Sequence, residues 1–183
     1  MPFRLGLFRH VQVVGALDYG LEGCAPGQYC SALIVRNDDP RSSLAAFGGA
    51  IAAANARNSQ SGYAALLRAV GLAGVELAAM KLTGAHAASI TAVASGGADI
   101  VAIDAVSWRM ARNTMNESQQ LRVLAMTEPT PGLPLICASG QDGKALRACL
   151  AEAFAALPSG VREALKIQGF VGRSSDDYRH SPW

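Results

Sequence analysis

The chain has 183 residues, half of them hydrophobic and 16% charged, enough for one ordinary domain or two small lobes around a substantial core. A formal net charge of +2 with scattered basic residues makes no electrostatic case for nucleic acid. No window approaches the roughly 18 apolar residues that cross a bilayer, and residues 1–10 lack the apolar core of a signal peptide. Taken as written, the chain stays where it is made.

In chain order, Val11-Gln12-Val13-Val14 predicts a short strand, followed by a Gly- and Pro-rich loop to Gln28. Ser31-Ala32-Leu33-Ile34-Val35-Arg36 is apolar on both faces and predicts a strand interior to a sheet. Asn37-Asp38-Asp39-Pro40 stops it. Ser42 or Ser43 then caps a short helix through Phe47, and residues 48–54 form a turn and a strand of small residues.

The next stretch, Asn58-Ser59-Gln60-Ser61-Gly62-Tyr63, opens into the amphipathic run 64–70. Ser59 and Ser61 are preferred helix caps. The N–H groups they would satisfy, with the positive end of the helix dipole, also suit an anion. Gly62 removes a side chain where a ligand would press on the backbone. Taken alone, the motif is more often a plain N-cap.

Residues 75–82 read as a strand in their later part, because Thr83-Gly84 ends them. Thr83 or a neighbour caps a helix over 85–95, which Gly96-Gly97 terminates. A buried strand over 98–104, a helix to about 113 and a strand over 121–126 follow. The alternation argues for βαβ units and a parallel sheet. After the Pro/Gly-rich crossover 128–132 come a strand over 133–138, helices over 143–157 and 159–166, and a polar tail expected to be loose. Cys24, Cys30, Cys137 and Cys149 show no C-x-x-C spacing and no nearby histidine, so no metal site is expected. Cys137 and Cys149 are expected to be buried small hydrophobes.

Laid out this way, several motifs fall into a known order: Gln28-Tyr29-Cys30-Ser31, Asp39-Pro40, Phe47-Gly48-Gly49, Asn58 to Tyr63, Thr83-Gly84-Ala85-His86, Ala98 to Asp104, and Thr130-Pro131-Gly132-Leu133-Pro134. From about residue 11 to residue 171 the chain resembles the phosphate/phosphonate-type solute-binding proteins of ABC transporters. The resemblance implies an α/β, type II periplasmic binding protein fold, with one complete parallel-sheet lobe over 39–127 and a truncated outer lobe over 1–38 and 128–183. It implies a small oxyanion ligand in an interlobe cleft, a transporter permease as partner, a periplasmic setting (cytoplasmic if the start is natural), no cofactor and no catalysis. By residue-wise correspondence the ligand site comprises Tyr29, Ser59, Gln60, Ser61, His86 and Asp104.

Singly, each has a plainer reading: packing for Tyr29, a first-turn polar residue for His86, a helix cap for Asp104. The chain also departs from the family pattern. Val106 and Leu133 stand near the places where some members set acidic residues against an aminoalkyl cation. A strand–helix–strand–helix block precedes the matching region in family members, and by that resemblance the disulfide partner of Cys24 lies in the absent block. A free or interchain Cys24 and a homodimer through the outer lobe are therefore expected. The alternatives are an enzyme on the same fold, for which His86 is the plausible base, and a remnant or interaction module.

Overall fold

The structure, a computed structural model, describes residues 6–7 and 9–179; most of the N-terminal segment weighed above as a leader, and His180 of the tail, lie outside them. The chain divides into two compact units, residues 1–29 with 129–183, and residues 30–128.

The second unit, here the central unit, is built on a five-stranded sheet. Its strands are β3 (Ser31–Arg36), β4 (Ile51–Ala54), β5 (Ala79–Leu82), β6 (Ile100–Asp104) and β7 (Leu121–Met126), in the order β5-β4-β6-β3-β7. β4 is parallel to both β5 and β6, whereas β3 runs antiparallel to β6 and β7. The sheet is thus mixed rather than parallel throughout. The link from β3 to β4 holds only a 3-10 turn at Leu44–Phe47. Without a full return helix, the chain re-enters the sheet from the end at which it left. Ser43 precedes that turn without a side-chain capping bond.

β3 itself belongs here. The expectation that Ser31–Arg36 builds the outer lobe is corrected: it lies between β6 and β7 and is buried from Ser31 to Val35. Burial on both faces is what its unbroken apolar run requires. Alternate residues feed two cores. Ala32, Ile34, Val101 and Ile103 pack with Ile90, Val93 and Trp108, from helices α2 (His86–Ala94) and α3 (Ala105–Thr114). Leu33, Val35, Ala52 and Ala102 pack with Phe47, Leu66 and Val70, the last two from α1 (Ala65–Leu72). The crossover β4–α1–β5 moves to the sheet edge, and β5–α2–β6 moves back past β4. Right-handed connections in opposite directions place their helices on opposite faces.

The other unit has a three-stranded antiparallel sheet. β1 (Val11–Asp18) lies between β9 (Pro134–Ala138) and β10 (Gly169–Gly172). A two-stranded ladder joins β2 (Gln28–Tyr29) to β8 (Thr130–Pro131). β1 is longer than expected, and β10 has no counterpart in the sequence reading. Gly15 of β1 is obligatory: a Cβ there would sit 2.2 Å from the Phe170 ring of β10. α4 (Gly143–Ala155) is capped by Asp142, which accepts from Lys144 N and Ala145 N. It packs on β1 and β10, with Arg147 donating to Val14 O at 2.9 Å. α5 (Ser159–Leu165) follows.

The described part of the tail is not loose. Tyr178 is buried and donates its hydroxyl to Gly132 O at 2.7 Å, while Asp177 accepts from Ser174 N and Oγ. The cysteine expectation also needs correcting. Cys149 is exposed on α4 and Cys137 half-buried, whereas Cys30 is the buried one. No disulfide joins the described cysteines, and Cys24 is a free thiol.

Candidate functional site

The candidate residues of the central unit collect beyond the carboxyl ends of β4 and β6. This is where a sheet order that reverses direction opens a crevice. Although α1 and α2 cover opposite faces, their leading turns meet there.

The first turn comes from the Asn58–Tyr63 motif. Ser59 is its N-cap, its Oγ accepting from Gly62 N at 3.0 Å, as the plain reading of a serine cap requires. Gln60 opens a π-helical turn, Gln60–Ala64, that runs directly into α1. Ser61 stands on that turn, half-buried, with its Oγ 3.2 Å from His86 Nε2. The second turn is the start of α2. Its N-cap is Ala85, a neighbour of Thr83, and it makes no side-chain capping bond. Thr83 instead donates from Oγ1 back to Ala54 O or Ala85 O and touches the Ser89 hydroxyl.

Asp104 ends β6 and serves two groups. Its Oδ1 accepts from Ser107 N at 2.8 Å, capping α3, and its Oδ2 lies 3.4 Å from His86 Nε2. The plain reading of this residue, a helix cap, is met, and the same carboxylate also reaches the His86 ring. His86 is the hub: one ring nitrogen faces both Ser61 and Asp104, while Nδ1 is buried with no hydrogen-bond partner. Burial of the ring pushes the imidazole below its ordinary value, against the upward pull of the Asp104 carboxylate. The central unit thus brings Ser61, His86 and Asp104 into direct contact, with Ser59 and Gln60 on the adjoining turn. Tyr29 belongs to the other unit, where it is buried in β2 opposite Thr130.

One supporting residue escaped the sequence reading. Asn55, directly after β4, accepts Gly84 N with its carbonyl. Its buried Oδ1 has no partner and lies where a Cβ on Gly62 would be, 2.1 Å from that position. Gly62 therefore makes room for Asn55, and the two hold the helix starts in register. An asparagine at the end of an apolar strand was the available signal. A groove of about 480 Å³ lies elsewhere on this unit, lined by residues including Leu67, Val70 and Met80 and by none of the candidates.

Solved structures share this fold. PhnD1 from Prochlorococcus marinus in complex with methylphosphonate matches with TM-score 0.77 and 17% identity over 93% of this chain and 68% of its own. A Xanthomonas citri protein bound to chloride ion matches with TM-score 0.73 and 19% identity over 93% and 67%. A binding protein component of an ABC phosphonate transporter from Pseudomonas aeruginosa matches with TM-score 0.70 and 20% identity over 92% and 59%. The chain therefore has the α/β fold of type II periplasmic binding proteins and spans about 59–68% of the length of these structures. No curated protein matches it in sequence.

The family model for the periplasmic, phosphonate substrate-binding protein of ABC transporters matches residues 14–178. The chain belongs to that family of transporter binding proteins. No helix among the described residues is long and apolar enough to cross a membrane.

Proposed function

We propose that this chain captures a small phosphate- or phosphonate-like oxyanion for an ABC transporter, working in the periplasm and delivering to a permease. Ser59, Gln60, Ser61, His86 and Asp104 are its ligand-binding residues in the central unit, and Tyr29, in the other unit, is included on the family correspondence alone. The observation that carries the reading is the 3.2 Å contact between Ser61 and His86, which unites two helix starts from successive strand–helix units. A tetrahedral oxyanion needs several hydrogen-bond donors converging from different directions. Serine hydroxyls, a glutamine amide and a histidine ring at two helix N-termini meet that need.

The same geometry does not favour an enzyme. A histidine acting as base on a serine uses one nitrogen for the hydroxyl and the other for an orienting carboxylate. Here Ser61 and Asp104 share Nε2, and Nδ1 has no orienting partner.

The proposal extends to a homodimer through the outer unit. Neither α4 nor α5 buries a residue, and Leu133, Ile136, Leu146, Val161 and Leu165 are exposed. β9 and β10 have no further pairing partner among the described residues. A second copy of the chain is the occupant that would cover such surface.

Calorimetric titration with methylphosphonate and with inorganic phosphate tests the binding reading. Saturable binding without turnover is expected. Ser61→Ala should weaken it about tenfold or more, because a hydrogen bond to a charged group is worth about 1.5–3 kcal/mol. Absence of binding by both anions would overturn the proposal.

A further inference from the structure

An oxyanion accepting from Ser61 would bring a second negative charge to the side of Asp104. Ser61 Oγ and Asp104 Oδ2 lie 3.2 and 3.4 Å from the same nitrogen of His86. The anion and the carboxylate would then stand within about three hydrogen-bond lengths of each other. At the effective dielectric of a partly buried site, repulsion between unit charges at that separation costs on the order of tenfold in affinity.

The group placed to relieve it is the imidazole between them. Apart from His86, α2 itself carries no charged residue. The elements packed against α2 bring Arg36 on β3, Asp104 at the end of β6, and Glu117 in the 3-10 turn Asn116–Gln120. Arg36 reaches α2 at its far end, through Val93 O. Among the described residues, Asp104 is the one whose charge acts on the ring. A neutral ring with its proton on Nε2 offers that one N–H to two acceptors and brings no charge. A protonated ring supplies a positive charge between two negative ones.

We propose that the anion and a proton enter this site together, the proton coming from solvent and lodging on His86 between the bound anion and Asp104. The inference rests on the anion-binding reading above. It predicts an affinity that depends on pH through the protein. Burial holds the free ring below its ordinary value, and the bound anion raises it. Affinity is then highest below the free-ring midpoint, falls by up to tenfold per pH unit as pH rises toward the bound-ring midpoint, and levels off above it.

The test is an NMR titration of the imidazole signals, with and without saturating methylphosphonate. The chain has three histidines, and His86→Gln assigns the signal. The expected result is a His86 midpoint raised by about one unit or more when the anion is bound, equivalent to a tenfold linkage. If backbone amide signals shift with methylphosphonate but the His86 midpoint stays in place, or the ring never titrates in either state, the proposal is wrong and the anion-binding reading survives. If no signal responds to methylphosphonate, both fail together.

Discussion

At the scale of single residues, the site depends on one missing side chain. Gly62 has no Cβ because Asn55 Oδ1 already occupies that position, with Ser59 Oγ 3.1 Å away from it. The Asn55 backbone also carries Gly84 N, so moving Asn55 disturbs both helix starts. Gly62→Ala should therefore destabilise the protein by about 1–3 kcal/mol, the usual cost of overpacking, and weaken methylphosphonate binding as well. Urea unfolding measures the first and calorimetry the second. Adding Asn55→Ala should recover part of the lost stability, because the two side chains compete for one space. A double variant no more stable than Gly62→Ala alone would mean that the clash is not the cause.

At the scale of elements, the end of the sheet opposite the site is tied by charge. Asp39, buried in the link between β3 and β4, is held bidentately by Arg41, with Oδ1 to Nε at 2.9 Å and Oδ2 to Nη2 at 2.6 Å. Arg41 also donates to Asp99 Oδ1 at 3.1 Å and lies 4.0 Å over the Phe47 ring. Asp99 accepts from Ile51 N, and Arg122 donates to the carbonyls of Asp39 and Arg41. Hydrogen bonding and charge from Arg41 outweigh the cost of burial and hold the Asp39 carboxyl at about 2, below its ordinary 3.8.

A depressed folded-state value stabilises the fold fully above the unfolded value and is lost as pH falls through the folded one. The network should thus contribute on the order of 2 kcal/mol at neutral pH, lost between about pH 4 and pH 2. Urea unfolding across that range should show the loss in the native protein. Asp39→Asn should be less stable at neutral pH and show a shallower acid slope. Equal slopes would place the acid sensitivity elsewhere.

At the scale of the whole molecule, the two units differ in how well they are enclosed. The central sheet has helices on both faces and two separate cores. In the other unit, helices α4 and α5 bury nothing completely, and Leu133 is 77% exposed. Apolar surface of that kind favours association. Light scattering at micromolar concentration should report a dimer, and substituting charged residues for Ile136 and Leu165 together should return it to a monomer. A monomer in the native protein would dispose of the homodimer proposal while leaving anion binding untouched.

The sequence by itself determined whatever is encoded locally. The apolar runs at Ser31–Arg36 and Ile100–Asp104, the stop at Gly96, and the capping serine at Ser59 each depend on neighbours a few residues away, and the structure has each of them. The order of motifs likewise pointed to the family that residues 14–178 match. Only the tertiary structure decided the direction and place of β3, since its partners β6 and β7 arrive much later in the chain. The same holds for β10, a four-residue strand with glycine at both ends that is a strand because β1 pairs with it. The contact of Ser61 with His86, and of His86 with Asp104, is of this kind too. Three separate segments meet there because right-handed crossovers running in opposite directions bring their ends to one edge of the sheet, a consequence of chain topology that no local pattern contains.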